Sequence, residues 1–120
     1  MANLNIDKNL VEGKFIKHFK YETLTEEQKQ DNLYLYQILA INAIHTETGE
    51  KLAVYKALYD GKKYGLDIEY GQVFARPMDM FLSKVDKKKY PNIKQECRFE
   101  LYYGGITSIL EGVVAYGTSY

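Results

Sequence analysis

The chain has 120 residues with 16 basic and 16 acidic side chains, a formal net charge of +0, which bounds it to one domain around one modest core. It lacks the bulk basic excess of a protein that holds nucleic acid by electrostatics, although a local patch stays open. Twelve tyrosines stand against no tryptophan, and Cys97 is alone; the lone thiol excludes an internal disulfide, fits a reducing cytoplasm and reads as a small buried residue rather than a nucleophile.

Residues 1–12 are polar with spaced aliphatics (Leu4, Ile6, Leu10, Val11) and read as a loose lead-in or a short turn of helix. No basic segment followed by an apolar run stands there, so no secretory signal is expected. From Gly13 to Lys20 basic and apolar residues alternate. That period of two predicts a first strand, with Phe15 and Phe19 on one face and His18 opposite both. Residues 21–32 break the pattern: Thr25 and Gln28 are spaced for a capping box and a single helical turn, and a mobile surface insertion is equally consistent.

The stretch Tyr34–Tyr59 organises the rest. Two apolar arms, Tyr34–Ile44 and Leu52–Tyr59, flank the polar break Thr46–Glu50, and together they predict one long β-hairpin. Glu47-Thr48-Gly49 suits a type I turn closed by a left-handed glycine with a bulge, so Gly49 takes the positive φ that only glycine adopts without steric cost. Strict alternation places Tyr34, Tyr36, Ile38, Ala40, Asn42 and Ile44 on one side and Leu35, Gln37, Leu39, Ile41, Ala43 and His45 on the other. Neither face is polar, and such a ribbon does not stand alone in water. One face lines a core; tail, insertion, partner or ligand covers the other.

Residues 60–71 carry three glycines, Gly61, Gly65 and Gly71, and read as a long loop or a small extra hairpin. Asp60, Asp67 and Glu69 lack the alternate spacing and distal Glu of a calcium loop. Gln72–Pro77 is the next strand, stopped by Pro77. Met78, Phe81, Leu82 and Val85 then recur at helical spacing, predicting a short helix or 3-10 segment over about 77–84 with its apolar side down. Lys84, Lys87, Lys88 and Lys89 follow near the predicted helix end, where positive charge suits the dipole; the run is solvated, with a phosphate contact as the sharper reading. Pro91–Ile93 is a turn and Glu96–Tyr103 a closing strand. Residues 106–120 form one more strand or a helix on the open face, and their apolar part is too short and interrupted to span a bilayer.

Four or five short strands with one helical turn point to a mainly β fold, a small partly open barrel or roll. One domain covers 1–120, with a barrel core over 13–101 and a C-terminal extension over 102–120.

An ordered set of motifs carries a resemblance: Lys17-His18-Phe19-Lys20, His45-Thr46-Glu47-Thr48-Gly49-Glu50, Val54-Tyr55 with Ala57-Leu58-Tyr59, Val73-Phe74-Ala75-Arg76-Pro77, Met80-Phe81 and Arg98-Phe99. The set resembles the bacterial family known as domain of unknown function 1653, from Gly13 to Phe99 with two insertions. The resemblance implies a small SH3-like barrel, cytoplasmic, with no activity assigned. Tyr21 stands where that family commonly has glycine, Phe74 where it has tryptophan, and Asp60-Gly61 where it tends to Gly-Asp.

The candidate ligand-binding residues are His18, His45, Glu47, Tyr55, Tyr59, Phe74, Arg76 and Arg98. Each has a structural role on offer. His45 and Glu47 flank the hairpin turn and cap its backbone; Arg76 pairs with Glu47 or Glu50, and Arg98 with Asp79. The sharper reading gathers His18, His45, Tyr55, Tyr59, Phe74 and Arg76 on one rim, with aromatic faces for stacking, a guanidinium for a carboxylate or phosphate, and imidazoles that donate or accept near neutral pH.

No Ser or Cys nucleophile beside a base, no glycine-rich phosphate loop and no His pair at metal spacing is present, so no catalytic residue, cofactor or metal is assigned. The first reading is a non-catalytic binding module whose ligand is a nucleotide, RNA or a peptide, with no membrane partner. The alternatives are a small enzyme using His45, Glu47 and Arg76, and a structural homodimer that pairs the second apolar face of the hairpin.

Overall fold

A computed structural model describes residues 8–107 and 114–116. Its central unit is the hairpin of β2 (Leu35–Ile44) and β3 (Lys51–Ala57). The turn closes as its residues require: His45 N–H donates to Glu50 O and Gly49 N–H to His45 O, both at 2.8 Å, and Gly49 has φ +74°. The first arm begins one residue late, because Tyr34 has φ +62°, outside extended backbone.

Strict alternation along β2 fails at two register shifts, between Ile38 and Ala40 and between Ala40 and Ala43. An extra residue in one strand moves the following side chains to the opposite face and bends the ribbon. Ile41, expected opposite Tyr36 and Ile38, therefore packs against the same core as they do.

Five strands form one antiparallel sheet in the order β4-β3-β2-β1-β5. β1 (Phe15–His18) pairs with β2, β4 (Val73–Pro77) with β3, and β5 (Phe99–Leu101) with the outer side of β1. The fold is mainly β, and the open edges approach each other through the short helix α2 (Met78–Phe81) and the chain after it. Arg98 N–H donates to Ser83 O and Val85 N–H to Glu96 O, each at 2.8 Å, and the Phe81 and Phe99 rings stack with centroids 4.9 Å apart. This is a partly open barrel. A second sheet pairs β6 (Gly105–Thr107) with β7 (Val114–Tyr116); residues 1–7 of the lead-in and 108–113 and 117–120 of the tail lie outside the described residues.

Both apolar hairpin faces are covered near β1, while Leu39 and Ile44 farther along β2 stay exposed. Ile16, Ile38, Tyr55, Tyr59, Phe81 and Phe99 belong to the main core, where full burial stabilises each by about 1.5–3 kcal/mol. On the opposite face Phe15, Leu35 and Leu58 cluster beneath Tyr21 and Tyr102. Leu10, from the lead-in, is buried in the main core.

Several local expectations change. Phe15 and Phe19 share no face, because β1 ends at His18 and Phe19 opens a 3-10 helix, Phe19–Thr23; Phe19 joins Val85 and Ile93 in a third cluster. The Thr25 capping box is formed, with Thr25 Oγ1 accepting from Gln28 N–H and Gln28 Oε1 from Thr25 N–H, and it starts α1 (Glu26–Gln30). Residues 60–71 are a loop holding a 3-10 turn, Lys62–Tyr64, not a hairpin. The helix after Pro77 ends at Phe81, short of Lys84, whose backbone bridges to Cys97. The lysine run therefore lies beyond that helix, and Cys97 is half-buried rather than buried.

Candidate functional site

The site forms where β1 ends beside β3 and β4. β1 stops because His18 becomes the cap of the following 3-10 helix: its Nδ1 accepts from Lys20 N–H at 3.1 Å. The ring is held between Phe19, Tyr34 and Phe99, with centroid separations of 4.3, 5.8 and 5.3 Å. Burial, together with the Arg98, Lys20 and Arg76 charges, lowers its pKa from 6.5 to about 3. His18 is neutral at physiological pH. Since Nδ1 is an acceptor, the proton sits on Nε2, which is left as a donor.

A cavity of about 180 Å³ opens beside this ring. Lys20 and Arg76 supply its charge, and Tyr34, Tyr55 and Phe74 supply aromatic wall. Tyr55 and Phe74 are direct cross-strand partners with centroids 5.7 Å apart, and Arg76 Nε donates to the Tyr55 hydroxyl at 3.0 Å. Lys20, Arg76 and Arg98 are each half-buried. None forms an ion pair among the described residues, where the salt bridges are Lys62–Glu69, Lys63–Asp31 and Lys87–Glu96. A half-buried cation without a carboxylate partner is available to an anion that enters the cavity.

Tyr34 adds a departure from a relaxed fold. A non-glycine residue in the left-handed region costs about 1–2 kcal/mol, and such strain gathers at ligand sites. Its φ of +62° brings the ring into the cavity wall beside His18.

The sequence-predicted candidates divide. His18, Tyr55, Phe74 and Arg76 line this cavity together. Tyr59 lies beneath it, with no exposed surface, its hydroxyl 2.5 Å from that of Tyr36. Burial raises the phenol pKa of both, that of Tyr59 to about 12. Arg98 lines an adjoining cavity; its Nε donates to Met80 O at 3.2 Å and Ser83 Oγ at 3.1 Å, not to Asp79. Arg76 turns to Tyr55, not to Glu47 or Glu50. His45 and Glu47 stay at the exposed hairpin tip, outside both cavities. There His45 Nδ1 accepts from Glu47 N–H and Thr48 N–H, at 3.2 and 3.3 Å, which is the turn-capping role.

Sequence reasoning passed over Lys20, Tyr34 and Tyr36. Lys20 stood inside the His-Phe-Lys motif, and that placement was the available signal. Nothing in the order of residues marks the positive φ of Tyr34. Among the described residues no group of three or more His, Cys, Asp and Glu is arranged to hold a metal ion, and no helix is long and apolar enough to cross a membrane. Among the described residues the cavity beside His18 holds no Ser, Cys, Asp or Glu in its wall, so what these residues offer is cations, one imidazole donor and ring faces.

No curated protein and no solved structure is significantly similar to this sequence. A family model does match, over residues 14–101, which takes in β1 to β5 and every residue of the cavity beside His18. The chain belongs to the family described as protein of unknown function (DUF1653).

Proposed function

We propose that the chain is a non-catalytic binding module for a ligand that joins an anionic group to a flat ring, of which a nucleotide is the type. The observation that carries this reading is the set of half-buried cations, Lys20, Arg76 and Arg98, around a neutral His18 with no carboxylate paired to them among the described residues. Arginine and lysine in that setting bind phosphate or carboxylate oxygens, the Nε2–H of His18 adds a neutral donor, and the half-buried Tyr34 and Phe74 offer apolar ring surface to the rest of the ligand. On the same reading the rolled sheet is an SH3-like barrel of the bacterial cytoplasm, a compartment that suits a chain with a single cysteine, Cys97.

Calorimetry with nucleosides, nucleoside monophosphates and short peptides tests the reading. Monophosphates bind and the uncharged nucleosides do not, and Arg76→Ala abolishes binding while the protein stays folded. Binding that ignores the phosphate, or survives Arg76→Ala unchanged, overturns it.

A further inference from the structure

A second cavity adjoins the first through a shared wall of His18 and Lys20. Its volume is about 290 Å³, and Lys84, Lys89 and Arg98 line it with those two residues. We propose that the two cavities form one bipartite site for a nucleoside diphosphate. The ring and first phosphate occupy the aromatic lobe at Arg76 and Lys20, and the terminal phosphate occupies the lobe of Arg98, Lys84 and Lys89. This rests on the anion reading of the first lobe and adds to it the number of phosphates.

Charge is the first argument. Among the described residues Asp86 is the one carboxylate in the second lobe's wall, and its Oδ1 is engaged by the N–H groups of Lys88 and Lys89 at 3.0 and 3.4 Å. Against it stand Lys20, Lys84, Lys89 and Arg98, an excess that a chain of zero net charge has concentrated in one place. Geometry is the second. Arg98 is anchored through Nε to Met80 O and Ser83 Oγ, and its terminal nitrogens make no ion pair among the described residues. A guanidinium fixed in this way is preorganised for phosphate oxygens.

Chemical asymmetry decides between a mononucleotide and a strand. Aromatic surface for a base is concentrated in one lobe, while the other adds Phe19 and Tyr90 packed on each other, with centroids 4.8 Å apart, and Lys89 lies over Tyr90 at 5.5 Å. Single-strand binders present successive stacking platforms along a basic track; one stacking lobe followed by one cationic lobe matches a base followed by phosphates. The two lobes together fall in the range of small-ligand sites, roughly 300–1,000 Å³.

The test is calorimetry on the full chain with adenosine, guanosine, cytidine and uridine mono- and diphosphates, and with a short single-stranded RNA. At least one diphosphate binds ten-fold or more tightly than its monophosphate. The double variant Lys84→Ala/Lys89→Ala, both side chains being exposed, brings that ratio near one, while its circular dichroism matches the parent protein. Monophosphate binding with no diphosphate gain, or a gain that persists in the double variant, overturns the bipartite site and leaves the monophosphate reading standing. Failure of every nucleotide overturns both. RNA binding with a steep salt dependence and no diphosphate gain assigns the second lobe to a strand and also overturns the proposal.

Discussion

Arg76 stands opposite Ala53, two residues along β3 from Tyr55, and across that diagonal the Arg76 Nε–H donates to the Tyr55 hydroxyl at 3.0 Å. Tyr55 is buried and edge-packed against Tyr36, so its hydroxyl is a fixed post that sets where the guanidinium points. Tyr55→Phe removes the post and keeps the ring. Loss of one such bond is worth about 1 kcal/mol, so affinity for a bound monophosphate falls roughly five-fold. Calorimetry on Tyr55→Phe beside Arg76→Ala, which loses binding entirely, separates orientation from charge.

His18 makes the stability of the protein depend on pH. In the unfolded chain the ring takes up a proton near pH 6.5, and in the folded chain only near pH 3. Between those values the unfolded state binds more protons, so stability is full above about 6.5 and is lost as pH falls, by about 1.4 kcal/mol per unit at most. His18→Asn keeps an acceptor for the Lys20 N–H and removes the titration. Urea unfolding at pH 7, 6, 5 and 4 shows a shallower decline for the variant, the carboxylate contributions being common to both proteins.

The paired hydroxyls of Tyr36 and Tyr59 make a different prediction. Each side chain is buried and each hydroxyl has the other as its partner. Tyr59→Phe strands the Tyr36 hydroxyl and costs about 1–3 kcal/mol. The double change Tyr36→Phe/Tyr59→Phe removes both polar groups and costs less than the sum of the single changes. Denaturant midpoints of the three variants measure the coupling.

Gly49→Ala isolates backbone strain. A Cβ there meets no atom within 4 Å, yet φ is +74°, so the cost is conformational, about 1 kcal/mol. Gly49→Asn costs less, because Asn tolerates the left-handed region. Equilibrium unfolding checks both, and nucleotide binding is retained in each, since the hairpin tip lies outside both cavities.

Local chemistry determined a good deal of this protein. The two-arm hairpin, the glycine in its turn, the Thr25 capping box and the stop at Pro77 were all legible because each depends on residues within a few positions of one another. Of the cavity beside His18, the sequence marked His18, Tyr55, Phe74 and Arg76 through the ordered motifs and the chemistry of their side chains. It misplaced Ile41, because a bulge reverses alternation without leaving a trace in residue type. It gathered His45 with His18 on one rim, although the turn-capping role it also offered His45 is the one the structure shows; nothing local marked His18 as the cap of a 3-10 helix beside the core.

The tertiary structure alone decided what the charged groups face. Lys20, Arg76 and Arg98 come from three separate segments, and they converge because β1 lies between β2 and β5 while the chain after β4 folds back through α2 onto the residues before β5. Desolvation and Coulomb forces act through space, so the depressed pKa of His18 and the cation cluster around it are properties of that closure rather than of any stretch of sequence.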